Sequence, residues 1–403
     1  ELAERRAGRT GARAALPPCW TLPVAVAFTP SPRPTVGVEW ELALVDRTSR
    51  DLVNAADAVL AGVRSAGSLA PGRVTGELLR NTVEVVSGVC ENADAVAADL
   101  GEAVAAVRAA AEPLDVELAC AGTHPFGQWS TDQLADGERY AELIERTQWW
   151  GRQMLIWGLH VHVGLDSADK VFPVLGALLH KAPHLQALTA SSPFWTGVDT
   201  GYASNRAMMF QQLPTAGLPF AFERWEEYEG FVDDQLRTGV IDGLSDVRWD
   251  IRPAPHLGTL EVRVCDGVPT LAELRAVTAL VHCLVVDLDR RLVAGERLPS
   301  MPPWHVQENK WRAARYGLDA EVVLDAAGRE RLVTDDLADL LEDLQPVARD
   351  LGCVDALCAV ERITRTGASY QRQRSVAQRS GGDLVAVVDA LVGELRAGEP
   401  RRA

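Results

Sequence analysis

Residues 36–45 read V-G-V-E-W-E-L-A-L-V. Val36, Val38, Trp40, Leu42 and Leu44 occupy one set of alternate positions, and Gly37, Glu39, Glu41, Ala43 and Val45 the other. A period of two is that of a β-strand. The first set is wholly apolar and must face the core, so Glu39 and Glu41 share the opposite face. Two carboxylates this close repel, and the pair costs free energy unless cations lie between them. Taken alone it also fits the solvated face of an edge strand.

The neighbouring sequence supplies more strands. Residues 83–86, 117–121 and 155–165 read as strands, as do 249–251 and 259–265 on either side of a proline-containing loop. Residues 92–111 form an amphipathic helix rich in Ala and Val, with Asn92 as its cap. Segments 132–150, 169–190 (broken near Pro183) and 271–294 read as helical. Beyond Pro302 the pattern is helical to the end, clearest at 335–344 and 383–395, with Gly381-Gly382 between them. Strands come first, interleaved with helices, and a helical C-terminal part follows. That order indicates an α+β fold, not a regularly alternating parallel sheet. One domain is expected over residues 35–398. Residues 1–34, a mixture of arginines, prolines and a short apolar stretch, read as a disordered extension.

The chain has 403 residues, 47% of them hydrophobic, enough for a sizeable core. A net charge of -16 argues against a nucleic-acid binder, whose footprint is basic. The apolar run at 277–286 contains His282, stops at Asp287 and is too short to span a bilayer. Seven cysteines without a CxxC pair fit a reducing cytoplasm better than a disulfide framework. The expected partners are therefore small molecules, not nucleic acid or membrane, and the expected location is cytoplasmic.

Several other strands carry polar groups on one face. Glu84 lies within T-V-E-V-V, seven residues after Glu77. His160 and His162 alternate in G-L-H-V-H-V-G, and Glu261 and Arg263 in T-L-E-V-R-V-C-D. Each has an ordinary reading: an outward acid, packed histidines, an ion pair. Together they place Glu39, Glu41, Glu84, His160 and Glu261 on comparable strand faces. Hard oxygen donors with an imidazole suit Mg²⁺ or Mn²⁺ better than zinc. Divalent ions held on a sheet can bind a nucleoside triphosphate without a phosphate-cradling loop, and neither G-x-x-x-x-G-K-[ST] nor a strand-to-helix G-x-G-x-x-G is present. The H-x-H pair also opens a metal-dependent amidohydrolase. That class usually needs a mid-chain bridging lysine, and the lysines here are Lys170, Lys181 and Lys310. A binding protein that has lost turnover is a further reading, disfavoured by the intact acidic set.

The chain carries, in order, G-V-E-W-E-L-A-L-V-D, E-L-L-R-N-T-V-E-V-V-S-G-V-C, G-T-H-P-F, G-L-H-V-H-V-G, S-N-R, W-D-I-R-P-A-P-H-L-G-T-L-E-V-R-V-C-D and A-A-R-Y-G-L. In these blocks it resembles the bacterial carboxylate–amine ligases called glutamate–cysteine ligase 2, from about residue 34 to the C-terminal helices. The resemblance implies a glutamine-synthetase-like fold, an antiparallel sheet forming a funnel flanked by helices, with ATP and metal ions at one end. It implies that Glu39, Glu41, Glu77, Glu84, His160 and Glu261 hold Mg²⁺ or Mn²⁺, with Glu84 and Glu261 indispensable to catalysis. Arg263 would contact the transferred phosphoryl group. Arg252 and Arg206 would lie near the acid substrate or the phosphates, and His162, His124 and Asn205 would contact substrates.

The implied reaction turns an amino acid's side-chain carboxylate into an acyl phosphate, which an amine then attacks. The glutamate plus cysteine type is expected, and the same chemistry with another amine in a biosynthetic pathway is the nearest alternative. A homodimer is expected by analogy. Trp40 departs from the family pattern, where many relatives carry an acidic or aliphatic residue, but it lies on the other strand face. The amine pocket has no legible motif.

Overall fold

The strand read at residues 36–45 is β1 (Val36–Asp46), inside a seven-stranded antiparallel sheet, in a computed structural model that describes residues 25–401. The other strands are β2 (Val74–Gly76), β3 (Thr82–Val86), β4 (Val116–Ala119), β5 (Gly158–Gly164), β6 (Ile251–Ala254) and β7 (Thr259–Asp266). They run in the order β2-β3-β1-β5-β7-β6, with β4 also paired to β1.

The apolar face of β1 behaves as its alternation requires: Trp40, Leu42 and Leu44 are fully buried. They share one core with Val96 and Leu100 of helix Ala93–Ala111 and with Val277 and Leu280 of helix Leu271–Val293. The Trp40 indole N–H donates to the carbonyl of Val268 at 3.2 Å, so the large ring is buried without leaving a polar atom unpaired. Asn92 caps its helix, its side-chain oxygen accepting from the N–H groups of Asp94 and Ala95, a cap that contributes about 1 kcal/mol. The break near Pro183 separates helices Val171–Leu178 and Ala182–Thr189, with the proline in a first turn where its missing N–H costs nothing.

Four boundaries differ from the sequence reading. Residues 1–24 lie outside the described residues, but 25–34, expected in the extension, pack on the fold. Val26 is buried, its carbonyl accepts from Trp225 at 3.1 Å, and Thr29 N–H donates to Pro255 O at 2.9 Å. The expected helix at 132–150 is divided into Glu138–Thr147 and Trp149–Arg152, preceded by Gly137 at φ 154°. The strand expected at 249–251 is β6, shifted to include Pro253; β6 ends the sheet, where a residue without an N–H is tolerated. A short hairpin, Glu321–Val323 with Glu330–Leu332, interrupts the helical C-terminal part. Among the described residues no helix is long and apolar enough to cross a membrane.

Candidate active site

The sheet register brings the polar residues face to face. Glu41 pairs across the strands with Glu84, Glu39 with His160, and Glu261 with both His162 and Arg252. Glu77 follows β2, whose Thr75 stands opposite Glu84. Like charges directly opposite one another destabilise a sheet, so this register has a cost that core packing alone does not explain. Three sets of possible ligand atoms each lie within 4.8 Å of one another: Glu41, Glu77 and Glu84; Glu39, Glu84 and His160; Glu39, His162 and Glu261.

The electrostatics divide the acids into two classes. Burial, then repulsion from Glu77, pushes Glu41 up to about 7. Burial, then Glu77, Glu39 and Glu41, pushes Glu84 up to about 10. Burial also raises Glu77. Glu39 and Glu261 go the other way. Burial opposes their ionisation, but His160 and His162 hold Glu39 below the ordinary range, and Arg263, Arg252 and His162 do the same for Glu261. Burial and the Arg263 cation push His160 down to about 4, which keeps its imidazole neutral and able to act as a ligand.

A divalent cation fits this donor set. His162 is buried, its Nδ1 lies 3.0 Å from the Thr259 hydroxyl, and its Nε2 has no hydrogen-bond partner. That atom faces Glu39 Oε1 at 3.4 Å and Glu261 Oε1 at 3.9 Å. Burial opposes a proton on the His162 ring, but Glu261 and Glu39 outweigh it and raise its pKa; a cation between these carboxylates would displace such a proton and take Nε2 as a ligand. His162, expected to contact substrate, lies in one of the three possible ligand sets.

Three arginines border the acids. Arg252 Nε donates to Glu261 Oε2 at 2.7 Å and its Nη1 to Val247 O at 2.7 Å. Arg263 also donates to Glu261 and reaches His160 Nδ1 at 3.4 Å. Arg206, on helix Asn205–Phe210, donates to Arg263 O at 3.1 Å and meets His160 Nε2 at 3.4 Å. The guanidinium groups of Arg206 and Arg263 lie 5.5 and 6.0 Å from the Phe210 ring, a shared cation–π platform. Phe210 is a contributor that sequence reasoning missed. Its only signal is its place one helical turn after Arg206.

All three arginines line a cavity of about 930 Å³ with Glu39, Glu41, Glu77, Glu84 and His160. Its far wall, also missed, comes from Leu143 and Arg146 of helix Glu138–Thr147 and from Asp242 and Arg248. Two expected substrate contacts lie elsewhere. Both His124 ring nitrogens are engaged by backbone, Nε2 at 2.8 Å from Arg50 O and Nδ1 accepting from Gly127 N–H at 2.9 Å. The Asn205 amide donates to Ser192 O at 2.7 Å and to the Thr200 hydroxyl at 2.8 Å, so it braces a loop.

The model of the glutamate–cysteine ligase family 2 (GCS2) matches residues 35–390. The chain belongs to this family. A provisionally named glutamate–cysteine ligase 2-1 of Mycobacterium sp. strain KMS is 65% identical over 92% of this chain and 97% of its own length. A provisionally named glutamate–cysteine ligase 2 of Mycobacterium tuberculosis strain H37Ra is equally similar, 65% over the same shares. Among solved structures, the glutamate–cysteine ligase of Francisella tularensis in complex with AMP superposes with a TM-score of 0.65 at 14% identity, covering 92% of this chain and 90% of that one. A bifunctional glutathione synthetase from Pasteurella multocida also scores 0.65, at 15% identity over 91% of this chain and 51% of that one. At such identities the two structures establish the shared fold. Membership of GCS2 removes the amidohydrolase reading of H-x-H, whose two histidines stand here among four strands' worth of carboxylates and arginines.

Proposed function

We propose that this cavity activates the side-chain carboxylate of an amino acid, glutamate in the first instance, and joins it to an amine with one ATP consumed per bond. As a GCS2 member the chain is an ATP-dependent carboxylate–amine ligase. The observation that carries the assignment of the site is the cross-strand register that stacks Glu39, Glu41, Glu84, His160, His162 and Glu261 on one face beside Arg263. Glu41, Glu77 and Glu84 form one ligand set for Mg²⁺ or Mn²⁺, and Glu39, His162 and Glu261 a second, with His160 bordering both. Bound divalent ions would offset the negative charge of the triphosphate and of the reacting oxygens.

The chain's own residues supply position and charge. Arg263 is held by Glu261 and would set a fixed cation beside the γ-phosphate as its charge moves. Arg206 and Arg252 border the same space and clamp phosphate or carboxylate oxygens. The substrate carboxylate attacks the γ-phosphorus, ADP leaves, and an acyl phosphate forms. The amine then attacks the acyl carbon and inorganic phosphate departs. A free carboxylate is a poor electrophile, and phosphorylation provides its leaving group. No enzyme nucleophile is needed.

The six free thiols among the described residues accord with a reducing compartment, the cytoplasm, as the setting. A homodimer is the assembly expected by analogy, and light scattering on the purified protein tests it. The functional test is ADP release with Mg²⁺, glutamate and a panel of amines including cysteine, followed by mass analysis of the product. A γ-glutamyl amide formed with stoichiometric ADP is the expected result. Amide hydrolysis without ATP, or ATP binding without ADP release under any pairing, contradicts the assignment.

A further inference from the structure

The S-N-R and V-C-D blocks contain a buried carboxylate that the site above does not use. Asp266 ends β7, the strand that carries Glu261 and Arg263, and it is fully buried. Its Oδ2 accepts from Ser191 N–H at 3.0 Å and from the Ser192 hydroxyl at 2.7 Å, and its Oδ1 accepts from the Ser204 hydroxyl at 2.7 Å. Both serines then act on the backbone around Arg206. Ser204 caps helix Asn205–Phe210, its oxygen accepting from Ala207 N–H at 3.1 Å, and Ser192 Oγ accepts from Arg206 N–H itself at 3.1 Å. The space is closed on the other side: a Cβ on Gly122 would come within 2.5 Å of Asp266 Oδ2 and 2.8 Å of Ser192 Oγ.

A carboxylate out of reach of solvent is costly, and a site needing only to fill volume would be served by an apolar side chain. This one spends all its contacts on the two hydroxyls and the loop that fix where Arg206 leaves the backbone. The guanidinium at the far end lies against His160 and Arg263 O, and its Nε has no hydrogen-bond partner. We propose that Asp266 is a positioning residue for the reaction, aiming Arg206 into the cavity through Ser192 and Ser204. The inference rests on the reading of Arg206 as a clamp on a reacting anion.

The test is a double-mutant cycle of Asp266→Asn and Arg206→Ala, read as kcat and KM for ATP and for the acid, with thermal midpoints measured alongside. Asp266→Asn keeps the shape and removes one acceptor. It should lower kcat/KM roughly ten- to a hundredfold, the effect of one charge-assisted hydrogen bond, and raise the KM of whichever substrate Arg206→Ala also affects. The double variant should be no worse than Arg206→Ala alone, since Asp266 then has nothing to aim. Wild-type kinetics in Asp266→Asn, or losses that multiply in the double variant, overturn the positioning role and leave the Arg206 assignment standing. Wild-type kinetics in Arg206→Ala overturns that assignment, and the Asp266 inference with it. If Asp266→Asn does not fold, the cycle is run with Ser204→Ala, which breaks one link and leaves Asp266 its other two donors; the same outcomes decide.

Discussion

Replacing Glu84 by glutamine separates stability from activity. Glu84 is buried among Glu41, Glu77 and Glu39, and its carboxyl is pushed up to about 10. At pH 7 without metal it is therefore protonated in the folded chain and ionised in the unfolded one. The folded value lies above the unfolded one, so the contribution to stability is full below the ordinary 4.5 and is lost progressively as pH rises toward 10. From 4.5 to pH 7, at about 1.4 kcal/mol per unit, the loss is on the order of 3 kcal/mol. Glutamine does not titrate and escapes it.

Glu84→Gln should thus be more stable than the wild type in EDTA at pH 7, by roughly 3 to 4 °C in midpoint for a chain of this length. The gap should widen from pH 5 to pH 9. The same substitution removes a ligand and should lower Mg²⁺-dependent ADP release by roughly three orders of magnitude. Calorimetry in EDTA across that pH range, with turnover measured on the same preparations, reads both effects. A variant less stable than wild type at pH 8, or one that turns over normally, refutes the reasoning.

Mg²⁺ uptake should release protons, because Glu84 and part of Glu41 must ionise to bind it; titration calorimetry at pH 7 in two buffers of different ionisation enthalpy should show about one proton or more, and none would count against the acidic set. Arg263→Lys keeps the charge but loses the planar guanidinium whose Nη1 meets both Glu261 and His160; kcat should fall by about a hundredfold or more with an unchanged circular dichroism spectrum, and near-normal kcat would remove Arg263 from phosphoryl transfer. His124→Ala should cost on the order of 2 kcal/mol of stability through two lost backbone bonds while leaving the KM values alone; a raised KM at unchanged stability would restore His124 to the substrate site.

The acids and histidines were legible because strand periodicity fixes which side chains share a face, and each lies on a regular strand or next to one. What the alternation in residues 36–45 could not supply was the register. That Glu41 meets Glu84, and Glu261 meets His162, depends on pairing between strands far apart in sequence. His162 illustrates this: one strand gives its face, and only the β5–β7 pairing gives its neighbours. His124 and Asn205 lie in loop and helix-start positions whose side chains bond to neighbouring loops, a role that residue type alone does not distinguish from ligand contact. The far cavity wall was illegible because Leu143, Arg146, Asp242 and Arg248 come from a helix and a loop brought together only by tertiary packing.

Crystals soaked with Mn²⁺ and a non-hydrolysable ATP analogue give the most direct reading of the site through the anomalous signal of the metal. Peaks are expected between Glu41, Glu77 and Glu84 and between Glu39, His162 and Glu261, with the analogue's phosphates in contact with them. Bound analogue with no manganese at either set, or manganese bound only elsewhere on the chain, contradicts the account.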